Sequence, residues 1–319
     1  MGSRALFGLP TAAAGASTRK LKLGIMTSIG AKDTLGLTKT LHAEAVRRAV
    51  FTTGPQKWTG SDDFIDHLQK HNRKIVLTIR NGGTSDYDPS YPPSDMKVYK
   101  ATLRAILEEH RPKVAVIENE MSGSTMYTGT ASQYLAQLEA AAEVVSEFSG
   151  IKLADGGLPG AVVRDMTYQH ILTTAGVESA EDFARRATST EDEYTRTING
   201  SSYWAPIGHS FLDGFADAGA DFVNFHWYET DGLGKVADFL EQHTGLKPIS
   251  NEVGVRSKSD SEGQKRLLKQ AKGKLLYFIQ YSIDLIRRND PARTVYALQD
   301  ESLKLRPTGE VYKEFATGL

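Results

Sequence analysis

The sequence predicts an α/β protein, a single (β/α)8 TIM barrel with an insertion after the fifth strand. Three observations predict it. Short apolar runs alternate with helical patterns eight times along the chain, which implies right-handed βαβ units and a parallel sheet. No glycine-rich dinucleotide fingerprint follows the first run, since Gly24 and Gly30 do not fit G-x-G-x-x-G. The 319 residues suit a barrel whose usual size is roughly 250 residues before insertions.

The elements follow in order. Residues 1–20, rich in Ala and Gly, are set apart as a flexible tail, an expression remnant or the end of a trimmed export signal, because they lack a basic start and a full apolar stretch. The barrel is expected over 21–319. Leu21–Ser28 is the first strand, residues 32–44 a helix, and Ala45–Phe51 the second strand. A helix capped by Ser61 carries Phe64, Ile65 and Leu68 at helical spacing. Lys74–Arg80 is the third strand, stopped by Asn81-Gly-Gly, and 84–95 is a loop. Helix 96–110 leads to the fourth strand, Lys113–Glu120, and helix 131–148 to the fifth, Ile151–Asp155. Residues 161–205 are too long and polar for one crossover helix, so they are expected as an inserted, lid-like segment over the barrel mouth. A helix at 208–218, strand Asp221–His226, helix 234–243 and strand Lys247–Glu252 come next. A long helix at 262–288 then leads to an eighth strand at Thr294–Gln299, and a short helix near 309–316 closes the chain.

Composition narrows the function classes. The net charge of −1 comes without a basic stripe, which argues against nucleic acid. With no cysteine there is neither a disulfide framework, a thiolate metal site nor a cysteine nucleophile. That leaves the compartment open, with a secreted or periplasmic setting favoured over a cytoplasmic one. No apolar run nears the ~18 residues that span a bilayer. Neither H-E-x-x-H nor G-x-S-x-G occurs, so metal and a serine hydrolase elbow are not expected.

Barrel active sites gather at the C-terminal strand ends, and the polar residues there are the candidates. Glu118-Asn119-Glu120 ends the fourth strand, His226-Trp227-Tyr228-Glu229 the sixth and Glu252 the seventh. Arg47 and Arg48 lie in the second, and Arg80-Asn81 ends the third. Glu120 and Glu252 face each other across the ring. That is the arrangement glycoside hydrolysis needs: one carboxyl protonates the leaving oxygen while the other attacks or activates water, in unlike environments. Glu118 is expected to be a packing charge. Trp204 and Trp227 are candidate sugar platforms, while His42, His67, His71, His110 and His243 are read as surface.

On these motifs the chain resembles glycoside hydrolase clan A, the retaining (β/α)8-barrel glycosidases. The resemblance rests on Asn119-Glu120 after the fourth strand, Pro248-Ile-Ser-Asn-Glu252-Val-Gly254 in the seventh, and His226-Trp-Tyr228 after the sixth. It implies a retaining hydrolase of β-linked saccharides that needs no cofactor. Glu120 would be acid/base, Glu252 nucleophile, and Tyr228 a hydrogen-bond donor to Glu252. Asn119 would hold the sugar 2-hydroxyl, and Arg47 or Arg48 would keep Glu252 ionised. The implied partner is an oligo- or polysaccharide. Two departures stand out: Ala297-Leu298-Gln299-Asp300 stands where the family's eighth strand supplies a Trp, and Asn251 precedes Glu252. The rival reading is a barrel that has lost catalysis and binds carbohydrate. A barrel lyase or aldolase would need a Schiff-base lysine, and none stands at the expected strand ends.

Overall fold

The computed structural model describes residues 20–82, 88–282, 295–300 and 302–319. Eight strands close in sequence order into a barrel. They are β1 (Lys22–Met26), β2 (Ala45–Phe51), β3 (Lys74–Arg80), β4 (Val114–Ile117), β5 (Lys152–Asp155), β6 (Phe222–Trp227), β7 (Lys247–Val253) and β8 (Tyr277–Tyr281). Neighbouring strands pair in parallel, and β8 pairs with both β7 and β1. The expected tail lies outside the described residues, apart from Lys20.

Two cores follow from the alternation of side chains across each strand. Ala45, Val76, Val114, Val116, Ala154, Phe222, Ile249, Tyr277 and Ile279 cluster together, one or more from each of seven strands, as residues pointing into a barrel do. The intervening positions, among them Val46, Leu77, Ala115, Val223, Phe225 and Phe278, join the larger layer beneath the helices. Alternation also separates two residues that sequence alone leaves open. Ala45 points inward and Val46 outward, so Arg47 points in and Arg48 out.

The helices outside the sheet are α1 (Ala31–Thr40), α2 (Asp63–Lys70), α3 (Met96–His110), α4 (Ala131–Val145), α5 (Gly160–Ala175), α6 (Val177–Arg186), α7 (Glu191–Leu212), α8 (Leu233–Thr244), α9 (Ser261–Ala271) and α10 (Pro307–Thr317). Their starts show ordinary capping chemistry. Thr130 and Gln133 form a capping box at α4. Asp62 rather than Ser61 caps α2, accepting from the backbone N–H groups of Phe64 and Ile65. None of the described helices is long and apolar enough to cross a membrane.

The closing strand lies elsewhere than expected. No helix spans 262–288: α9 ends at Ala271, and Gly273 takes φ of 80°, a left-handed turn that glycine adopts without strain. The apolar run after it becomes β8, pairing Lys22–Met26 with Tyr277–Tyr281. Residues 283–294 lie outside the described residues, and of 295–299 only Gln299 makes a bridge, antiparallel to Leu305. The expected strand at 294–299 is therefore not a barrel strand. The physical reason is that an apolar run of this kind fits a buried helix or a buried strand equally by periodicity.

Between β5 and β6 the chain forms three helices rather than one. The helix expected at 208–218 is instead the last turn of α7, which ends at Leu212. Asn199, Gly200 and Pro206 all lie inside α7. Val162, Met166, Phe183 and Phe211 of these helices join the layer that covers the barrel.

The assignment of β8 can be tested by stability. Phe278 is fully buried, and Phe278→Ala is expected to cost about 3–5 kcal/mol, read as a lowered urea midpoint. A loss below about 1 kcal/mol would remove Phe278 from the barrel wall.

Candidate active site

The polar residues of the barrel interior gather at the C-terminal strand ends around Arg47. Its guanidinium is buried, with 5% of the side chain exposed, and four groups take up its donors. Nε donates to Thr78 Oγ1 at 3.0 Å, and one terminal nitrogen to Asn119 Oδ1 at 2.6 Å. The other donates to the Asn251 carbonyl at 3.2 Å and to Glu252. Arg48 points outward, pairs with Asp62 at 3.3 Å and lies over the Phe64 ring. It takes no part in the site.

Local backbone irregularities bring the acidic residues in. β6 and β7 slip register between Asn224 and His226, opposite Ile249 and Glu252, and β7 slips again against β8 between Ser250 and Val253. The extra residue lies in β7. A bulge of this kind re-aims a side chain, and here it lets the consecutive residues Asn251 and Glu252 both reach interior partners. On the other side β4 stops at Ile117, where its apolar run ends and short of the expected bound at Glu120, and Glu118 and Glu120 take φ of 69° and 46°. Those left-handed values are uncommon for residues with a Cβ. Glu118 accepts from Asn81 N–H at 2.8 Å, from Gln137 of α4 at 2.6 Å and from Ser90. It is a buried packing charge, as its sequence context suggested, and burial raises its pKa despite those bonds. Asn119 turns toward Arg47 and Glu120 toward His226.

His226 joins the two candidate carboxylates. Its Nδ1 lies 2.8 Å from Glu120 Oε1 and 4.0 Å from Glu252 Oε2. Those two oxygens therefore lie no farther apart than the sum of these distances. The imidazole is held from below: Nε2 meets Asn251 Oδ1 at 2.9 Å, and the same oxygen accepts from Asn224 Nδ2 at 2.9 Å. Asn224 in turn binds Asp155 through its backbone N–H, at 2.7 Å. The fit is close, since a Cβ on Gly157, whose φ is 83°, would stand 2.6 Å from His226 Nε2.

The titrations of Glu252 and His226 are set by their partners. Burial alone pushes Glu252 upward. The charges of His226 and Arg47, with hydrogen bonds from Tyr228 and Arg47, outweigh it and hold the carboxyl below 4.5. For His226 burial works against the charged form, yet Glu252 and Glu120 raise its pKa above 6.5. Burial lifts Asp155 to about 7, with its bonds to Asn224 and Gly157 opposing. Burial and the facing Glu252 push Tyr228 far up, so its hydroxyl is a donor to that carboxylate.

The other sequence candidates fall into two groups. Asn81 is occupied structurally, donating to Tyr91 O at 2.8 Å and accepting from Thr52 at 2.6 Å. Trp227 is fully buried and donates its indole N–H to Asp231 O at 3.0 Å, so it offers no open face to a sugar. Trp204 is 41% exposed. One histidine read as surface is otherwise: His110 is buried and accepts from the Trp58 indole at 2.9 Å. His243 is exposed, as expected, but pairs with Asp213 at 2.7 Å, and with His209 these form, among the described residues, a trio close enough to hold a metal ion. Sequence reasoning missed Asn224 and Asp155, which support His226, and Tyr281 and Tyr296, whose rings lie 5.9 and 5.1 Å from Tyr228. Tyr281 ends β8. The missing family Trp was sought at 297–300, and the strand end that bears on that comparison is Tyr281-Ser282.

Neither protein-family models nor curated proteins match this sequence. Solved structures match its fold. An exo-β-1,4-mannosidase from Opitutaceae bacterium strain TAV5 is 13% identical with a TM-score of 0.59, over 95% of this chain and 60% of that one. The chain thus spans under two thirds of that protein. A GH5_18 protein from Bifidobacterium longum, solved with Manβ1-4GlcNAc, is 12% identical with a TM-score of 0.56, over 94% and 78% of the two chains. A GH128 endo-β-1,3-glucanase from Pseudomonas viridiflava is 14% identical with a TM-score of 0.52, over 92% and 96%. The likeness shows a barrel of the kind these glycoside hydrolases have.

The charge on His226 has a measurable consequence. A group whose folded pKa lies above its unfolded value stabilises the fold below the unfolded pKa, and that contribution is lost as pH rises through the folded one. His226 is expected to titrate above pH 6.5 by NMR, and Glu252→Gln to bring its midpoint down. A wild-type midpoint at or below 6.5 would remove the imidazolium from the site.

Proposed function

We propose that this protein is a retaining glycoside hydrolase acting on β-linked saccharides. The observation that carries the reading is the convergence of Glu120 and Glu252 on one imidazole, with Glu252 alone held by Arg47 and Tyr228. That asymmetry assigns the roles. Glu252, ionised and fixed at the interior face, attacks the anomeric carbon. Glu120, hydrogen-bonded to His226, protonates the departing glycosidic oxygen. Once the glycosyl-enzyme has formed, Glu120 takes a proton from water, which releases the sugar with its configuration retained. Asn119, already oriented by Arg47 at 2.6 Å, is placed to hold the sugar hydroxyl beside the reacting carbon. The chemistry calls for no cofactor. The β-linked substrates named for the mannosidase and the glucanase support the same class of bond here.

The binding-protein rival rested on the missing Trp at the eighth strand. With β8 at Tyr277–Tyr281, that strand ends on a tyrosine whose ring meets Tyr228 edge-on, an aromatic group of a different kind at the same strand end.

Two variants separate the roles. Glu252→Ala is expected to abolish turnover of every glycoside, and added azide to restore some of it with inverted configuration. Glu120→Ala is expected to fail on substrates with poor leaving groups by about 10²–10⁴-fold, yet to give a burst with activated aryl β-glycosides, because the covalent intermediate then accumulates. Equal losses that ignore the leaving group would overturn the assignment. NMR of the first-formed anomer reads retention directly.

The pH profile supplies an independent check. Because Glu252 must be ionised and is held below 4.5, the acid limb of kcat/KM is expected below pH 4.5. Arg47→Met removes one of the charges that depress it and is expected to move that limb up. An acid limb unmoved by this change would mean that it does not report Glu252.

A further inference from the structure

Beside the carboxylates lies a second cleft of about 240 Å³, open to solvent and lined by Tyr228, Glu229, Arg164, Arg196, Arg256 and Trp204, among others. That is smaller than the roughly 300–1,000 Å³ of drug-sized ligand sites, so it suits a single ring rather than a longer piece. Tyr228 belongs to both places: its hydroxyl donates to Glu252, and the residue lines the cleft. The two are therefore contiguous.

The lining has three features. First, Trp204 keeps 41% of its surface exposed beside charged groups, whereas Trp227 in the same wall has none. An indole face left open in a polar cleft suits the apolar face of a sugar ring. Second, the walls are stiff. Arg256 is held by Glu193 at 2.8 Å and by Glu229 at 3.0 Å, and Glu229 also accepts from Ser189. These bonds tie the loops after β6 and β7 to α7 and to the turn before it. Third, the charges balance. Arg164, Arg196 and Arg256 stand against Asp165, Glu193 and Glu229, so cationic donors and anionic acceptors are equal in number. A ring bearing a carboxylate or sulfate would add a negative charge that this balanced set does not offset, whereas neutral hydroxyls both donate to the carboxylates and accept from the arginines. Arg164 and Asp165 face each other at 3.9 Å, beyond hydrogen-bond reach, and so do not satisfy one another.

We propose that this cleft is a second sugar subsite, which seats a neutral pyranose ring joined to the ring held between Glu120 and Glu252. The substrate is then a neutral β-linked oligosaccharide rather than a single sugar with a small leaving group. The inference rests on the hydrolase reading and deepens it. Trp204 is its platform, and Arg196, exposed on α7 with its Nε on the Asp192 carbonyl at 3.2 Å, offers its terminal nitrogens as donors.

The test compares two probes, an aryl β-monoglycoside and the matching trisaccharide, chosen from β-1,3- and β-1,4-linked glucose and mannose. In Trp204→Ala the ratio of kcat/KM for trisaccharide over aryl glycoside is expected to fall at least tenfold, chiefly through KM, and in Arg196→Ala to fall less. Circular dichroism confirms that each variant is folded. An unchanged ratio in both overturns the subsite, and a wild type that prefers uronic or sulfated oligosaccharides overturns the neutral ring. Calorimetry separates this failure from that of the hydrolase reading. If wild type turns over no glycoside, but Glu252→Gln binds a trisaccharide and Glu252→Gln/Trp204→Ala does not, the cleft stands and the hydrolase falls. If aryl glycosides are hydrolysed but Glu252→Gln binds no trisaccharide, the cleft falls alone.

Discussion

A buried guanidinium sets the terms for everything above the barrel floor. Taking a charge out of water costs several kcal/mol unless its partners are well placed, and Arg47 meets that requirement with groups from two other strands and from the segment after a third. Thr78 comes from β3, Glu252 and the Asn251 carbonyl from β7, and Asn119 from the residues that follow β4. A planar fork of donors has little freedom once so engaged. Arg47 thus fixes the position of β7 relative to β4, and with it the spacing across which a substrate must fit. It also keeps Glu252 anionic although burial favours the neutral acid.

Satisfying that fork demands irregular backbone on both sides. A regular β7 would send either Asn251 or Glu252 to the helix layer, and the bulge is what allows both to serve, one under His226 and one against Arg47. Opposite them, the left-handed Glu118 breaks the alternation of β4, so that Asn119 and Glu120 follow one another into the mouth. Each such residue costs about 1–3 kcal/mol. The compensation is visible around Glu118, where Asn81, Ser90 and Gln137 all donate to one carboxylate. Strain and a buried charge occur together because the same turn creates both.

This explains which parts of the molecule were legible in the sequence. Seven of the eight strands stand out as apolar runs with turn residues behind them, and the candidate glutamates follow from the contexts Asn119-Glu120 and Pro248-Ile-Ser-Asn-Glu252. β8 was misplaced because Leu275-Leu-Tyr-Phe-Ile-Gln-Tyr281 runs on into further apolar residues, and Gly273 was the one local mark of a helix end. Arg47 and Arg48 are chemically alike, and only the inward placement of Ala45 separates them. Asn224 and Asp155 carry no motif. Their importance arises from contacts between β5, β6 and β7 that no local pattern encodes. α7 keeps Pro206 within it while packing on α5, although a proline inside a helix usually kinks or breaks it.

The two halves of the site are built from different material, and that difference bears on selectivity. The groups assigned to bond cleavage stand on strands or within three residues of a strand end, where the closed hydrogen-bond ladder fixes them. The groups of the outer cleft come largely from α5 and α7, with Glu229 and Arg256 reaching up from the barrel. The halves meet mainly through short covalent links: Tyr228 beside Glu229, and Gly254 two residues before Arg256. Changing a side chain on α7 therefore alters what is held in the cleft without disturbing the bonds of Arg47, whereas changing Glu229 or Arg256 disturbs both the cleft and its attachment to the barrel. Substrate choice is thus free to vary along the helices while the strand ends keep one arrangement of charge.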